Sequence, residues 1–254
     1  MSAALDAPGV RLDAAGLIAL RRVALAATAD PALATLPGGF ATRRRGHGQE
    51  VADVRPYVEN DDMRHLDRGT TARTGVLHVR QFQEERDRVT LLIADFRPQM
   101  LWGISRAFRS VAAAEALTLL GWRNAEEGGR TGLLALTPGA PVLVAPRGRV
   151  RGMLDVIAGM VRAHAFALET VRADGASDPE RETGLDVSLG PVERITPNGA
   201  ELVIASGFDA AGPALGDRLA GLARRRVSRL LLISDAGAGR MPRGRYPVLL
   251  PDGR

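Results

Sequence analysis

The chain of 254 residues contains no cysteine. Disulfides, zinc–thiolate sites, iron–sulfur clusters and thiol nucleophiles are therefore excluded. Lysine is absent too, so all 34 basic residues are arginine. No apolar run approaches the ~20 residues needed to span a bilayer. The opening MSAALDAPGVRLD lacks the basic end and apolar core of a secretory signal. These absences lead to the expectation of a cytoplasmic protein, without stable membrane insertion, that fractionates as soluble.

What remains is ordinary for a globular chain: 45% hydrophobic, 25% charged, and long enough for one large or two small domains. The formal charge is +5. A lysine-free chain rich in alanine and arginine points to a codon bias that would colour any protein from its source. A nucleic-acid surface concentrates charge on one element. Here the arginines are scattered, with local groups at Arg43–Arg45, Arg147–Arg151 and Arg224–Arg226 and acids close to many others. Nucleic acid is not an expected partner.

Residues 1–40 read as a helix and a linker. Leu12, Leu17, Leu20, Val23 and Ala26 recur at helical spacing, and Leu36–Pro37–Gly38–Gly39 breaks the pattern. Asp13 and a small apolar face suit packing better than a membrane surface. Residues 41–88 form a charged segment, expected to pack on the main domain, with one strand at Val76–Phe82. Residues 89–254 read as alternating α/β. Val89–Ala94 is apolar throughout, as a strand buried on both faces requires. The expected sequel is a helix at Ser105–Ala125, a hairpin of Thr131–Thr137 and Pro141–Ala145, and a helix at Val150–His164. A loop at Ala173–Glu182, a helix at Thr183–Ile195 and a strand at Glu201–Ala205 follow. A helix at Pro213–Arg225 and strands at Val227–Ile233 and Tyr246–Leu250 complete the order. This predicts an α/β fold with a doubly wound, mostly parallel sheet and an antiparallel edge strand, preceded by an irregular or β segment.

Ligands in such sheets bind at the carboxyl ends of the strands. Here those ends are Asp95–Phe96–Arg97–Pro98–Gln99, Ser206–Gly207–Phe208–Asp209 and Ser234–Asp235. The stretch from Arg43 to Met100 resembles the bacterial family called "domain of unknown function 58". Its pattern is a glycine-rich start, DvRxY, GDD-x-R-x-IDW, AR and vRxFxxER, then a buried strand ending in Asp-x-Ser-x-Ser. The matching positions are Gly46, Gly48, Asp53, Arg55, Tyr57, Asp61, Asp62, Arg64, Asp67, Ala72, Arg73, Val79, Arg80, Phe82, Glu85, Arg86 and Asp95. The resemblance, which extends over residues 41–254, implies a von Willebrand factor A-like fold. It also implies association with a MoxR-type AAA+ ATPase and a magnesium-type site at the strand ends.

The chain departs from that pattern where the metal would bind. The two serines of Asp-x-Ser-x-Ser are Arg97 and Gln99, the threonine of a second loop falls at Thr183, and a later acid is replaced by Gly207. Magnesium requires near-octahedral oxygen ligands, and Asp95 and Thr183 are too few to supply them. A degenerate site formed by Asp95, Arg97, Gln99, Thr183 and Gly207 is expected, with no metal and no cofactor. Two arrangements of Arg97 are open: it pairs with Asp95 as a built-in cation that receives a partner's carboxylate, or it points into solvent.

The other residue patterns are weaker. His47, His65, His78 and His164 fall in different elements, there is no P-loop, and Gly237–Ala238–Gly239 lacks a following helix. Arg55, Tyr57, Asp61, Asp62, Arg64, Asp67, Arg73, Arg80, Glu85 and Arg86 read as an Asp/Arg network that fixes the charged segment, or as a docking surface. No nucleophile–base set is visible. The expected function is a non-enzymatic adaptor acting with a MoxR-type AAA+ ATPase in maturation or assembly of a client complex. The alternative is a metal-dependent binding protein or hydrolase using Asp61, Asp62, Asp67 and Asp95.

Overall fold

A computed structural model describes residues 7–26, 51–59, 61–82, 88–104, 106–174 and 183–237. The chain divides into two compact units, Met1–Ala34 with Arg88–Arg254, and Thr35–Asp87.

The larger unit is built on a mixed α/β plan. Strand β3 (Val89–Asp95) lies at the centre of a five-stranded sheet, and all seven of its residues are buried. It runs parallel to β4 (Arg130–Leu136) on one side and β6 (Glu201–Ser206) on the other. β7 (Val227–Leu232) extends the parallel set beyond β6, and β5 (Val142–Gly148) pairs antiparallel with β4 at the other edge. Because side chains alternate along a strand, Leu92 and Ala94 face one layer while Leu91 and Ile93 face the other. The first layer contains α1 (Ala14–Ala26), α3 (Arg109–Glu126) and α4 (Arg149–Asp174), whose Leu17, Leu117, Met153 and Met160 close over the sheet. The second contains the short turns α5 (Leu185–Ser188) and α6 (Val192–Ile195) with α7 (Leu215–Ala223), through Leu185, Leu189, Val192 and Leu222. Helix α1 packs within this unit, where the buried Trp122 indole N–H donates to the Leu17 carbonyl at 3.2 Å.

Several expected elements have different bounds. The α3 helix begins at Arg109, later than the expected Ser105, which is outside the described residues. Phe108 is extended (φ −61°, ψ 148°), and the preceding loop folds back so that the Arg109 N–H donates to Trp102 O at 2.8 Å. Helix α4 runs ten residues past His164, because buried Ala167 and Leu168 continue its inner face. The helix expected at Thr183–Ile195 is two separate turns. Pro191 has no N–H to continue the first, and Gly190 precedes it. The strand expected at Tyr246–Leu250 and residues 175–182 of the expected loop lie outside the described residues.

In the smaller unit β1 (Val51–Pro56) pairs antiparallel with β2 (His78–Phe82), joined through α2 (Arg68–Thr74). Neither β1 nor α2 was expected from the charge-dense sequence. Local caps explain α2: Asp67 accepts from the Thr70 N–H at one end, and Gly75 takes the left-handed conformation (φ 73°) at the other. Among the described residues no helix is long and apolar enough to cross a membrane.

Candidate functional site

The chain leaves β3 through α3 toward β4, then returns through α4 to place β6 on the opposite side of β3. The carboxyl ends of β3 and β6 therefore form the switch point at which an open α/β sheet offers a ligand site. Asp95 and Ser206 end those two strands.

Both residues are buried, as is Arg97, which is 2% exposed. The Arg97 guanidinium grips the Asp95 carboxylate side-on, Nε donating to Oδ1 at 2.9 Å and Nη2 to Oδ2 at 2.7 Å. The Arg97 backbone N–H donates to Oδ1 at 3.1 Å and the Ser206 hydroxyl to Oδ2 at 2.6 Å. Nη1 donates to the carbonyls of Thr183 at 2.8 Å and Ala210 at 3.2 Å, drawing two further loops onto the same cation. A carboxylate offers about four lone-pair positions, and each has a donor here. The residues do not fit a divalent ion: the acceptor positions are taken, and the neighbouring group is a permanent cation. The same burial leaves no room on Arg97 for a partner's carboxylate. Thr183 contributes its backbone oxygen while its side chain is exposed, and Gln99 sits half-buried in the turn Pro98–Met100.

Gly207 leaves space for a second arginine. A Cβ there would lie 1.4 Å from Arg109 Nη2. Arg109, 6% exposed, donates to the Ile233 carbonyl at 3.0 Å and pairs with Asp209 at 2.7 Å. Its guanidinium carbon stacks 5.2 Å from the centroid of Trp102. Asp235 accepts from the Ile104 N–H at 2.7 Å and the Gly237 N–H at 2.6 Å, latching the loop after β3 to the loop after β7. Buried Asp186 accepts from the Val187 and Ala214 N–H groups, against Gly184 and Gly212, where a Cβ would meet its carboxylate. Ser206 was expected only as the end of a strand, with no role, and neither Arg109 nor Asp186 was expected at the site. A polar residue closing an apolar strand was the one available signal, for Ser206. Over the rim stand Trp102, 39% exposed, and Ile104, 53% exposed.

The signature residues of the smaller unit separate into two sets. Arg55 holds Asp61 through two 2.6 Å hydrogen bonds, and Asp61 also accepts from the Val58 N–H. That pairing lowers the Asp61 pKa and raises that of Arg55. Asp62 caps the turn Met63–His65. Asp67 caps α2 and accepts from Arg80 Nε at 2.8 Å, and the Thr70 N–H, followed by Arg80, brings its pKa down to about 2. These carboxylates serve local structure. Arg64, Arg68 and Arg73 are exposed, and Tyr57 is half-buried. Glu85 and Arg86 lie outside the described residues. Asp61, Asp62 and Asp67 belong to one unit and Asp95 to the other.

The described histidines do not gather, and no group of three or more metal-ligating side chains occurs among the described residues. His164 instead meets the Ser110 hydroxyl at 2.9 Å and the edge of Phe96, ring centroids 5.2 Å apart. Burial, then the nearby Arg11 charge, lowers its pKa to about 4. Ser110 and His164 are 0% and 1% exposed, so no substrate reaches this pair.

Fold and site thus define a mixed α/β protein whose strand-end ligand position is closed by an internal arginine–aspartate pair. The chain belongs to the family described as "Protein of unknown function DUF58", which it matches over residues 53–236. It is 35% identical over 164 residues to uncharacterized proteins of Mycobacterium bovis and Mycobacterium tuberculosis, an alignment covering 60% of this chain and 51% of theirs. The chain spans about half the length of the curated relatives it matches.

Proposed function

We propose that this protein is a non-enzymatic interaction module of von Willebrand factor A-like type, acting with a MoxR-type AAA+ ATPase in maturation or assembly of a client complex. One observation carries the reading: at the sheet's switch point Asp95 is fully engaged by Arg97 and Ser206, so the site is built to be rigid without a metal. Above it, loops latched by Asp235 hold Trp102 and Ile104 outward on a stacked Arg109. Tryptophan is among the residue types that anchor protein interfaces.

The test is co-elution of the full chain with the purified MoxR-type ATPase of its own genome, with EDTA and with excess Mg²⁺. A complex of equal affinity in both conditions, weakened by Trp102→Ala, is expected. Absence of a complex, or its collapse in EDTA, overturns the reading. A rise in melting temperature with Mg²⁺ or Mn²⁺ would favour the metal-dependent alternative, since a ligand that binds the native state stabilises it.

A further inference from the structure

The described part of the smaller unit leaves its own apolar side chains uncovered. A two-stranded hairpin is marginal alone, and Val79 is the buried hydrophobic residue among those described in this unit. Val58, Met63 and Val76 are 60%, 55% and 55% exposed. Backbone pairing brings all three to one end of the β1–β2 ladder. The Tyr57 N–H donates to Leu77 O at 2.8 Å, which continues the register and sets Val58 opposite Val76. Asp61 N–H to Val58 O and Asp67 N–H to His78 O fold the segment carrying Met63 back beside the same end. The Thr74 hydroxyl ties the end of α2 to Val76 O at 3.3 Å.

The exposed charge at this end is basic by a small margin. Asp61, Asp62 and Asp67 are engaged by Arg55, a turn cap and Arg80. Arg64, Arg68 and Arg73 are exposed and form no ion pair among the described residues, and exposed Glu59 and Asp62 oppose them. Thr71 and Thr74 of α2 bond to His78 of β2, so helical spacing turns Arg73 away from the strand, while Arg68, three residues before Thr71, lies exposed at the margin of that face.

We propose that this end of the unit docks an acidic protein surface, with Arg64, Arg68 and Arg73 pairing with its carboxylates around Val58, Met63 and Val76. This deepens the adaptor reading by naming the partner's chemistry, and it rests on the interaction-module part of that reading. Guanidinium groups bind carboxylates through paired hydrogen bonds. Exposed aliphatic side chains among them need apolar counterparts, which a protein surface supplies and a phosphate backbone does not. Methionine and arginine are enriched at such interfaces.

The experiment titrates the full chain by fluorescence anisotropy with three labelled probes: a glutamate/leucine peptide, a polyglutamate peptide and duplex DNA of matched charge. The glutamate/leucine peptide is expected to bind tightest. Arg68→Glu/Arg73→Glu should weaken it by about tenfold or more, while Arg68→Lys/Arg73→Lys keeps most of the affinity. Arg162→Glu/Arg224→Glu, an equal change in net charge elsewhere, should leave it within about twofold. Equal losses in the two reversal variants, or no peptide binding by wild type, overturn the proposal. Tighter binding of DNA that depends on Arg68 and Arg73 also overturns it and identifies a nucleic-acid surface. If the ATPase fails to co-elute while arginine-dependent peptide binding persists, the ATPase assignment falls and this surface stands.

Discussion

Removing the Arg97 guanidinium tests the closed strand-end site directly. In Arg97→Met the stem is largely kept. Asp95, 0% exposed, loses two of its four hydrogen bonds and its countercharge, and the carbonyls of Thr183 and Ala210 lose a donor. Breaking a buried pair from one side costs about 3–5 kcal/mol, a large share of the ~5–15 kcal/mol that holds a domain folded. Trp102 and Trp122, the chain's two tryptophans, both belong to the larger unit, so their fluorescence in urea follows that unit. With a slope of ~2–3 kcal/mol per molar urea, the midpoint should fall by about 1–2.5 M. Asp95→Leu/Arg97→Met removes both charges, and apolar replacement of a buried pair is often near neutral. The double variant should recover more than half of the loss, the remainder reflecting the Ser206 hydroxyl left without its acceptor and the Thr183 and Ala210 carbonyls left without their donor. A single variant within about 1 kcal/mol of wild type, or a double variant less stable than the single, would refute the pair as the element that closes the site.

Three further outcomes follow from named contacts. His164 has a folded pKa of about 4, below the ~6.5 of an unfolded histidine, so the unfolded chain binds more protons between those values. Acidification from pH 6.5 to 4 should therefore cost up to roughly 3 kcal/mol, and His164→Gln should flatten that slope in urea melts; an unchanged slope rejects the assignment. Gly207→Ala must displace Arg109 from Asp209 and Trp102, destabilising by about 1–3 kcal/mol with a red-shifted Trp102 emission. Gly221→Ala, on the open face of α7, should instead stabilise by about 0.5–1 kcal/mol, and equal effects at the two sites would contradict this picture. Asp67, with a folded pKa of about 2, favours the folded smaller unit above the ordinary carboxylate range, and that contribution fades as pH falls toward 2. Protection of the Thr70 amide, its exchange relative to the intrinsic rate at each pH, should fall over that window in wild type and show no such loss in Asp67→Asn.

The sequence by itself determined the elements whose burial is written in composition. Val89–Ala94 is apolar on both faces, and two short apolar runs, Thr131–Thr137 and Pro141–Ala145, flank Pro138–Gly139, so the central strand and the edge hairpin were legible. So was the Asp95–Arg97 neighbourhood, because two residues so close at a strand end have few places to go. Asp67 and Gly75 are readable caps of α2, yet the charge around them masked the helix. That Arg97 pairs with Asp95 yet is closed to a partner's carboxylate, half of one expected arrangement, was a tertiary decision. It depends on Thr183 and Ala210, 86 and 113 residues away, supplying carbonyl oxygens that a buried guanidinium must satisfy. The role of Ser206, and Arg109 and Asp186 altogether, were invisible for the same reason: each is defined by a partner on another loop, and no spacing rule links them. Local propensity and periodicity act over a few residues, whereas a buried charge is stabilised only by whatever groups the folded sheet brings around it.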